Sequence, residues 1–258
     1  MITDLPITDS SMSQPQKLYE GKAKIIYTTE DIDSLLAYFK DDATAFNAQK
    51  RGTIQGKGEV NCTVSAALFQ YLEEQGIPTH YLEQTAPDWM RVRSVKIFPL
   101  EVVVRNKAAG SLCKQTGLPL GKPLENPLVE FYYKNDALGD PLLTRDRLFL
   151  MELATPVQVE EMHTRALQIN QYLTTFFEGC GITLVDFKLE FGLDAQNQIR
   201  LADEISPDTC RLWDTAESDP QKRVMDKDRF RQDLGQVESA YQALRERVLK
   251  MASSPQNS

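Results

Sequence analysis

Two histidines, His80 and His163, are all that the 258 residues contain. That scarcity disfavours a histidine-ligated metal centre and leaves imidazole-based nucleophile activation only two candidates. Cysteine is nearly as sparse. Cys62, Cys113, Cys180 and Cys210 lie far apart with no CxxC spacing, which argues against a zinc site and a small disulfide scaffold and points to a reducing cytoplasm. Long apolar runs are also missing: the longest uncharged stretches, such as 166–177, are punctuated by Asn, Gln and Thr. A membrane-spanning helix needs about 20 consecutive apolar residues, so a soluble chain with no membrane partner is expected. Basic excess is absent too. Lys plus Arg number 29 against 37 Asp plus Glu, a net charge of −8, and such a surface repels polyanions, so no nucleic-acid partner is expected. Residues 1–16, MITDLPITDSSMSQPQ, hold no Lys or Arg and no apolar core. They fit neither a signal nor a transit peptide and read as a short disordered leader.

What remains is ordinary globular composition, 41% apolar and 26% charged, enough for one large domain or two small ones. The chemistry then falls to carboxylates, lysines and arginines. Polar and apolar residues alternate over 22–28 and a second strand-like stretch covers 35–40, which predicts an antiparallel N-terminal sheet. The period changes at Val60. Val64, Ala67, Leu68, Tyr71 and Leu72 follow helical spacing, and Gly76 stands where the helix should stop. Strands are predicted at 79–84, 92–98 and 101–105, with Pro99 breaking the last two apart. The Gly- and Pro-rich segment 108–143 predicts loop around one short strand at 129–133. Thr155, Pro156 and Gln158 spell a capping box for a helix buried through Val159, Met162, Ala166, Ile169, Leu173 and Phe176, ending at Gly179. A final helix is predicted over 226–251, its stripe being Phe230, Leu234, Val237, Tyr241, Leu244 and Val248, with a loose tail after it.

The stretch 182–208, ITLVDFKLEFGLDAQNQIRLADEISPD, is the most informative. As a strand it puts Val185, Phe187, Leu189 and Phe191 on one face and Asp186, Lys188 and Glu190 on the other, about 7 Å apart in succession. DAQNQ is a turn, and the returning IRLADE brings Asp203 or Glu204 beside the charged row; register leaves both open. Oxygen ligands of this kind suit Mg²⁺ carrying nucleotide phosphates. Two other segments carry related chemistry. KLYEGKAK (17–24) places Lys17, Lys22 and Lys24 about Gly21, a loop able to lie over polyphosphate. EVVVRNKAAGS ends a strand with Arg105 and follows it with Ser111, offering guanidinium, hydroxyl and amides to a phosphate, and Arg211 can close the same site. GTIQGKG (52–58) is not a Walker A loop, having one residue too few and Gly58 where Ser or Thr belongs.

IFPLEVVVRNKAAGS (97–111), LVDFKLEFG (184–192) and ADEISPDTCRLWD (202–214), with KLYEGKAK and FKDDATAFN (39–47), resemble the phosphoribosylaminoimidazole-succinocarboxamide synthase (SAICAR synthetase) family from about Lys17 to Val248. The resemblance implies an α+β, two-lobed fold related to ATP-grasp enzymes and protein kinases. Residues 17–92 would form the antiparallel-sheet lobe covering ATP, and 93–258 the larger lobe. It implies an ATP-dependent ligase joining L-aspartate to carboxyaminoimidazole ribonucleotide (CAIR), with ATP and Mg²⁺ as cofactors. Lys22, Lys24, Lys134 and Glu190 would bind ATP, Glu190 and Asp203 would hold Mg²⁺, and Arg105, Ser111 and Arg211 would bind the substrate's phosphate. Asp186 and Lys188 would face the reacting groups, Asp186 accepting the amine proton.

The sequence departs from the family pattern at Thr144 and Arg147, after the GDPL motif, and at Cys62, where an Asn is common. With the chain ending soon after its last predicted helix, the carboxylase domain fused to some family members is not expected. A homo-oligomer is left open. Two other classes could use the same carboxylates and lysines: a kinase-like small-molecule phosphotransferase and a non-catalytic nucleotide-binding regulator.

Overall fold

The computed structural model describes residues 15–45 and 49–254; most of the expected leader and the end of the tail lie outside them. The chain opens with β1 (Lys17–Glu20), β2 (Lys24–Thr28), β3 (Ser34–Phe39) and a small hairpin, β4 (Asp42–Ala45) with β5 (Lys50–Thr53). Helix α1 (Lys57–Glu74) follows, then β6 (Tyr81–Ala86) and β7 (Trp89–Arg93). Strands β1, β2, β3, β7 and β6 form an antiparallel sheet in that order. Two of the three glycines of GTIQGKG, Gly56 and Gly58, serve the start of α1. Gly56 is left-handed at φ 75°, and a Cβ on Gly58 would lie 2.2 Å from the Phe39 carbonyl oxygen. The Asp41 carboxylate accepts the N–H groups of Gly56 and Gly58 at 3.0 and 2.9 Å, satisfying donors that a helix start leaves open.

A second sheet is built from β8 (Lys96–Ile97), β9 (Leu100–Lys107), β10 (Pro123–Tyr133), β11 (Leu142–Leu143), β12 (Ile182–Leu193), β13 (Ile199–Ala202) and β14 (Cys210–Asp214). Strand β12 is its spine, pairing antiparallel with β9, β14, β13 and β8. Helices α2 (Gly110–Thr116), α3 (Arg145–Leu150), α4 (Pro156–Gly179), α5 (Asp228–Arg231) and α6 (Val237–Ala252) complete the described chain. The predicted capping box closes α4: Gln158 N–H donates to Thr155 Oγ1 at 3.3 Å and Thr155 N–H to Gln158 Oε1 at 2.9 Å. Its predicted stripe is buried in the main core together with Phe187, Leu189 and Phe191 of β12. None of the helices among the described residues is long and apolar enough to cross a membrane.

Four predictions of local structure need correction. The strand placed at 92–98 is two, because the chain turns between β7 and β8 to pass from one sheet to the other. Segment 108–143 is not mainly loop: it holds α2 and the eleven-residue β10. Its prolines are tolerated because β10 runs near the sheet edge, and its pairing with β9 shifts register between Pro123 and Leu128. The helix placed at 226–251 is interrupted. Asp233, Gly235 and Gln236 take φ of 55°, 70° and 51°, and Arg229 donates to the Gly235 carbonyl at 2.7 Å, so Phe230 and Leu234 fall outside α6. Finally, Val185 does not share a face with Phe187. A β-bulge between Leu184 and Asp186 inserts one residue against β14, and Val185 packs instead with Ala109, Trp213 and Val224.

Candidate active site

A cleft of about 730 Å³ opens between the two sheets. Ile26, Leu35, Ala37 and Val92 of the first sheet line one wall, and the charged row of β12 lines the other. The ten residues to which the resemblance gives a role all reach it: Lys22, Lys24, Arg105, Ser111, Lys134, Asp186, Lys188, Glu190, Asp203 and Arg211; Glu204 lines it too, whereas Lys17, also read as lying over polyphosphate, does not and pairs with Glu20. The ten fall into two groups along β12.

The first group surrounds Asp186. Register sets Arg105 of β9 opposite Asp186 on one side and Arg211 of β14 opposite it on the other. Arg105 Nη1 donates to Asp186 Oδ2 at 2.7 Å, Nε to Glu130 at 2.7 Å, and Nη2 to Ser111 Oγ at 2.8 Å. Arg211 Nη1 reaches both Asp186 oxygens, at 3.0 and 2.8 Å, and its Nε donates to Asp228 at 2.8 Å. Arg105 is 3% exposed, whereas the Arg211 side chain is 20% exposed and so is the more reachable guanidinium. A Cβ on Gly110, which has φ 53°, would lie 2.5 Å from Arg211 Nη2. Gly110→Ala is therefore expected to displace Arg211. If Arg211 takes the ribonucleotide phosphate, as the resemblance implies, calorimetry should show ribonucleotide binding weakened about tenfold, the loss of one hydrogen bond to a charged group, with ADP binding unchanged.

The second group surrounds Lys188. Its ammonium contacts Glu190 at 2.6 Å, Asp203 at 3.2 Å and Glu101 at 3.2 Å. Burial alone would lower its pKa, but Glu190, Asp203 and Glu101 outweigh that and hold it well above the ordinary lysine value. Lys188 is thus an ammonium and not a base. Lys134 binds Glu190 at 2.5 Å, and Lys24 joins Asp203 and, at 3.0 Å, Glu204. Burial works to raise Asp203, yet Lys24 and Lys188 hold its carboxyl well below the usual carboxylate range. Asp203 adopts φ 63° just beyond β13, a left-handed turn that Asp tolerates better than most residues. Lys22, at the cleft mouth, pairs with Asp136 at 2.6 Å.

The donor chemistry fits a hard divalent cation. Glu101, Glu190, Asp203 and Glu204 against Lys24, Lys134 and Lys188 sum to 3 − 4 = −1. A polyanion drawing the lysines away would leave these carboxylates in need of a counter-ion. Among the described residues, no group of three or more His, Cys, Asp or Glu side chains is gathered as a ready metal cage. Mg²⁺ suits that arrangement, since it commonly takes one or two carboxylates and completes its shell with phosphate oxygens and water.

Sequence reasoning missed Glu101, although its alternation with Val103 and Arg105 along β9 would have flagged it. It also left Asp203 and Glu204 unresolved; the structure brings both to Lys24. Asp208, Lys227 and Arg231, which also line the cleft, gave no local signal. His80 lines it as well, and burial lowers its imidazole to a pKa of about 3.

Comparison with known proteins adds sequence and structural relatives. Residues 17–248 match the family model described as SAICAR synthetase. The phosphoribosylaminoimidazole-succinocarboxamide synthase of Nostoc punctiforme is 68% identical over 239 residues, 93% of this chain and 98% of that protein. The crystal structure of the same-named protein from Ehrlichia chaffeensis is similar with a TM-score of 0.87 at 41% identity, covering 91% of this chain and 98% of that one. A SAICAR synthetase solved in complex with ADP gives a TM-score of 0.86 at 44% identity, covering 90% and 97%.

Proposed function

The chain belongs to the SAICAR synthetase family, and on that premise we propose that it joins L-aspartate to the carboxylate of CAIR in purine biosynthesis, converting ATP to ADP and phosphate. One observation carries the reading for this site: a single strand face holds a guanidinium cluster about Asp186 and a lysine–carboxylate cluster about Lys188 and Glu190. Asp186 and Glu190 are four residues apart, about 13 Å along an extended strand. Two phosphorylated ligands can therefore be gripped at opposite ends with their reacting groups between them.

The chemistry requires such a grip. A carboxylate does not accept an amine directly because oxide is too poor a leaving group, so the γ-phosphoryl of ATP first transfers to a carboxylate oxygen of CAIR. The amine of aspartate then attacks the acyl carbon, and inorganic phosphate leaves with that oxygen. Catalysis of this transfer is mainly positioning and charge neutralisation. Lys22, Lys24 and Lys134 turn from their carboxylate partners to the ATP phosphates, and the apolar patch of Ile26, Leu35, Ala37 and Val92 receives the base. Glu190 and Asp203 would hold Mg²⁺, which when bound neutralises phosphate charge. Lys188 donates hydrogen bonds to oxygens gaining charge. Arg211, Ser111 and Arg105 take the ribonucleotide phosphate. Asp186 is reassigned: the guanidinium contacts made by both its oxygens suit orienting Arg105 and Arg211 better than accepting a proton. Residues 17–92 act as the lobe over the nucleotide and 93–258 as the lobe holding the other substrates, in a cytoplasmic enzyme.

A coupled ADP-release assay tests the reading. ADP should appear at a useful rate only with CAIR and L-aspartate together. Aspartate-independent ADP release with a stable phosphorylated product would instead indicate a phosphotransferase.

A further inference from the structure

The first sheet has two faces, and the cleft and α1 use one of them. Ile26, Leu35, Ala37 and Val92 line the cleft, and Ala37, Phe39, Met90 and Val92 enter the main core with the apolar residues of α1. Side chains alternate along a strand, so the opposite face carries Ile25 and Tyr27 of β2, Leu36 and Tyr38 of β3, and Trp89 of β7. Register sets them together: Ile25 opposite Tyr38, Tyr27 opposite Leu36, and Tyr38 opposite Trp89. The Trp89 ring stands 5.3 Å from that of Tyr27 and 5.0 Å from that of Tyr38. None of the five belongs to or packs against either hydrophobic core, and each keeps part of its surface in solvent. An antiparallel sheet with one face in water ordinarily turns polar side chains outward. Here the middle of the outer face is apolar and aromatic.

Charged residues frame that middle. Lys17 of β1 lies opposite Tyr27 and Glu20 opposite Ile25; Arg91 of β7 lies opposite Leu36, with Glu83 of β6 opposite Arg91. One row across the five strands therefore reads Lys17, Tyr27, Leu36, Arg91, Glu83, and the next reads Glu20, Ile25, Tyr38, Trp89, Ala86. A two-fold axis running along β3 lays each row over its own reverse in a second copy. Lys17 of one copy then faces Glu83 of the other, Tyr27 faces Arg91, Ile25 faces Trp89, and Leu36 and Tyr38 each face their counterparts. Opposite charges meet at both ends, a guanidinium meets a tyrosine ring, and the centre is supplied by Trp, Tyr and Arg, the residues that dominate binding hot spots. Such self-complementarity is what a two-fold interface requires. Five strands about 4.8 Å apart and five residues about 3.4 Å each span roughly 24 by 17 Å, about 400 Å² per copy in projection. Two copies would cover roughly 800 Å² before the rim is counted, the scale of a reversible and not of a permanent complex.

We propose that the outer face of the first sheet binds a second copy of this chain in a reversible, two-fold symmetric dimer. Sedimentation velocity of the full chain tests it. Between about 1 and 100 µM the mass should pass from one chain toward two, as a small interface of micromolar affinity requires. Tyr38→Lys and, separately, Trp89→Glu put an unpaired charge at the centre of the contact and should weaken the dimer at least about tenfold. Lys17→Glu or Glu83→Lys alone brings like charges together at both ends and should weaken it about tenfold, while the double variant Lys17→Glu with Glu83→Lys should return to within about threefold of the parent. Lys17 and Glu83 are exposed, so the charge exchange keeps the test decisive if a central variant does not fold. A parent protein that stays a single chain over the whole range overturns the proposal. So does a dimer unchanged by the central substitutions in folded variants, which would place the contact on another face, and so does a double variant as weak as either single one.

Discussion

Glu190→Gln and Asp203→Asn are each expected to lower kcat by about 10² to 10³-fold or more, the scale seen when one preorganised electrostatic partner is removed from a reacting centre. Each substitution keeps side-chain volume and removes one negative charge. The two carboxylates share Lys188, so in the charge exchange proposed for nucleotide binding they are the pair left facing the phosphates. Steady-state rates across a Mg²⁺ titration, beside a thermal melt showing a cooperative transition, make the measurement. Near-normal activity of both variants at saturating Mg²⁺ would remove the metal role assigned to them.

Arg105→Met should act on stability before it acts on catalysis. Arg105 is buried and pairs with the half-buried Glu130 and with the buried Asp186, which Arg211 also contacts. Removing one side of a buried ionic cluster leaves uncompensated charge and costs about 3–5 kcal/mol. In a chain of this size each kcal/mol corresponds to about 2–4 °C, so a fall in Tm of roughly 10 °C is expected. Arg211→Met, at a more exposed guanidinium, should lower Tm less and weaken ribonucleotide binding by about 1.5–3 kcal/mol. Equal Tm losses in the two variants would contradict the distinction drawn between the more buried and the more exposed of the two arginines.

These expectations also mark where the sequence was readable. The row Asp186, Lys188, Glu190 was visible because a strand's period of two sorts side chains by face, and the capping box of α4 because it is written within four residues. Register was not. Nothing local to Arg105 or Arg211 says that both oppose Asp186, since cross-strand pairing is settled by the packing of whole sheets and, here, by a bulge at Val185. Strand β14 escaped notice because CRLWD is short and follows a turn. The break before α6 was hidden because Phe230 and Leu234 are apolar for other reasons: Phe230 packs under the Lys50 ammonium, and Leu234 packs against the Val185 cluster. Lys57 and Lys227, which meet at Asp208, come from distant segments, and each alone reads as a solvated charge.

The acyl phosphate is the central claim, and isotope transfer tests it most directly. With ¹⁸O in the CAIR carboxylate, the oxygen that attacks the γ-phosphoryl leaves with it when the aspartate amine displaces phosphate. The account predicts one labelled oxygen in the released inorganic phosphate for each amide formed, corrected for the enrichment of the carboxylate. Stoichiometric phosphate without label, alongside amide product, would contradict it.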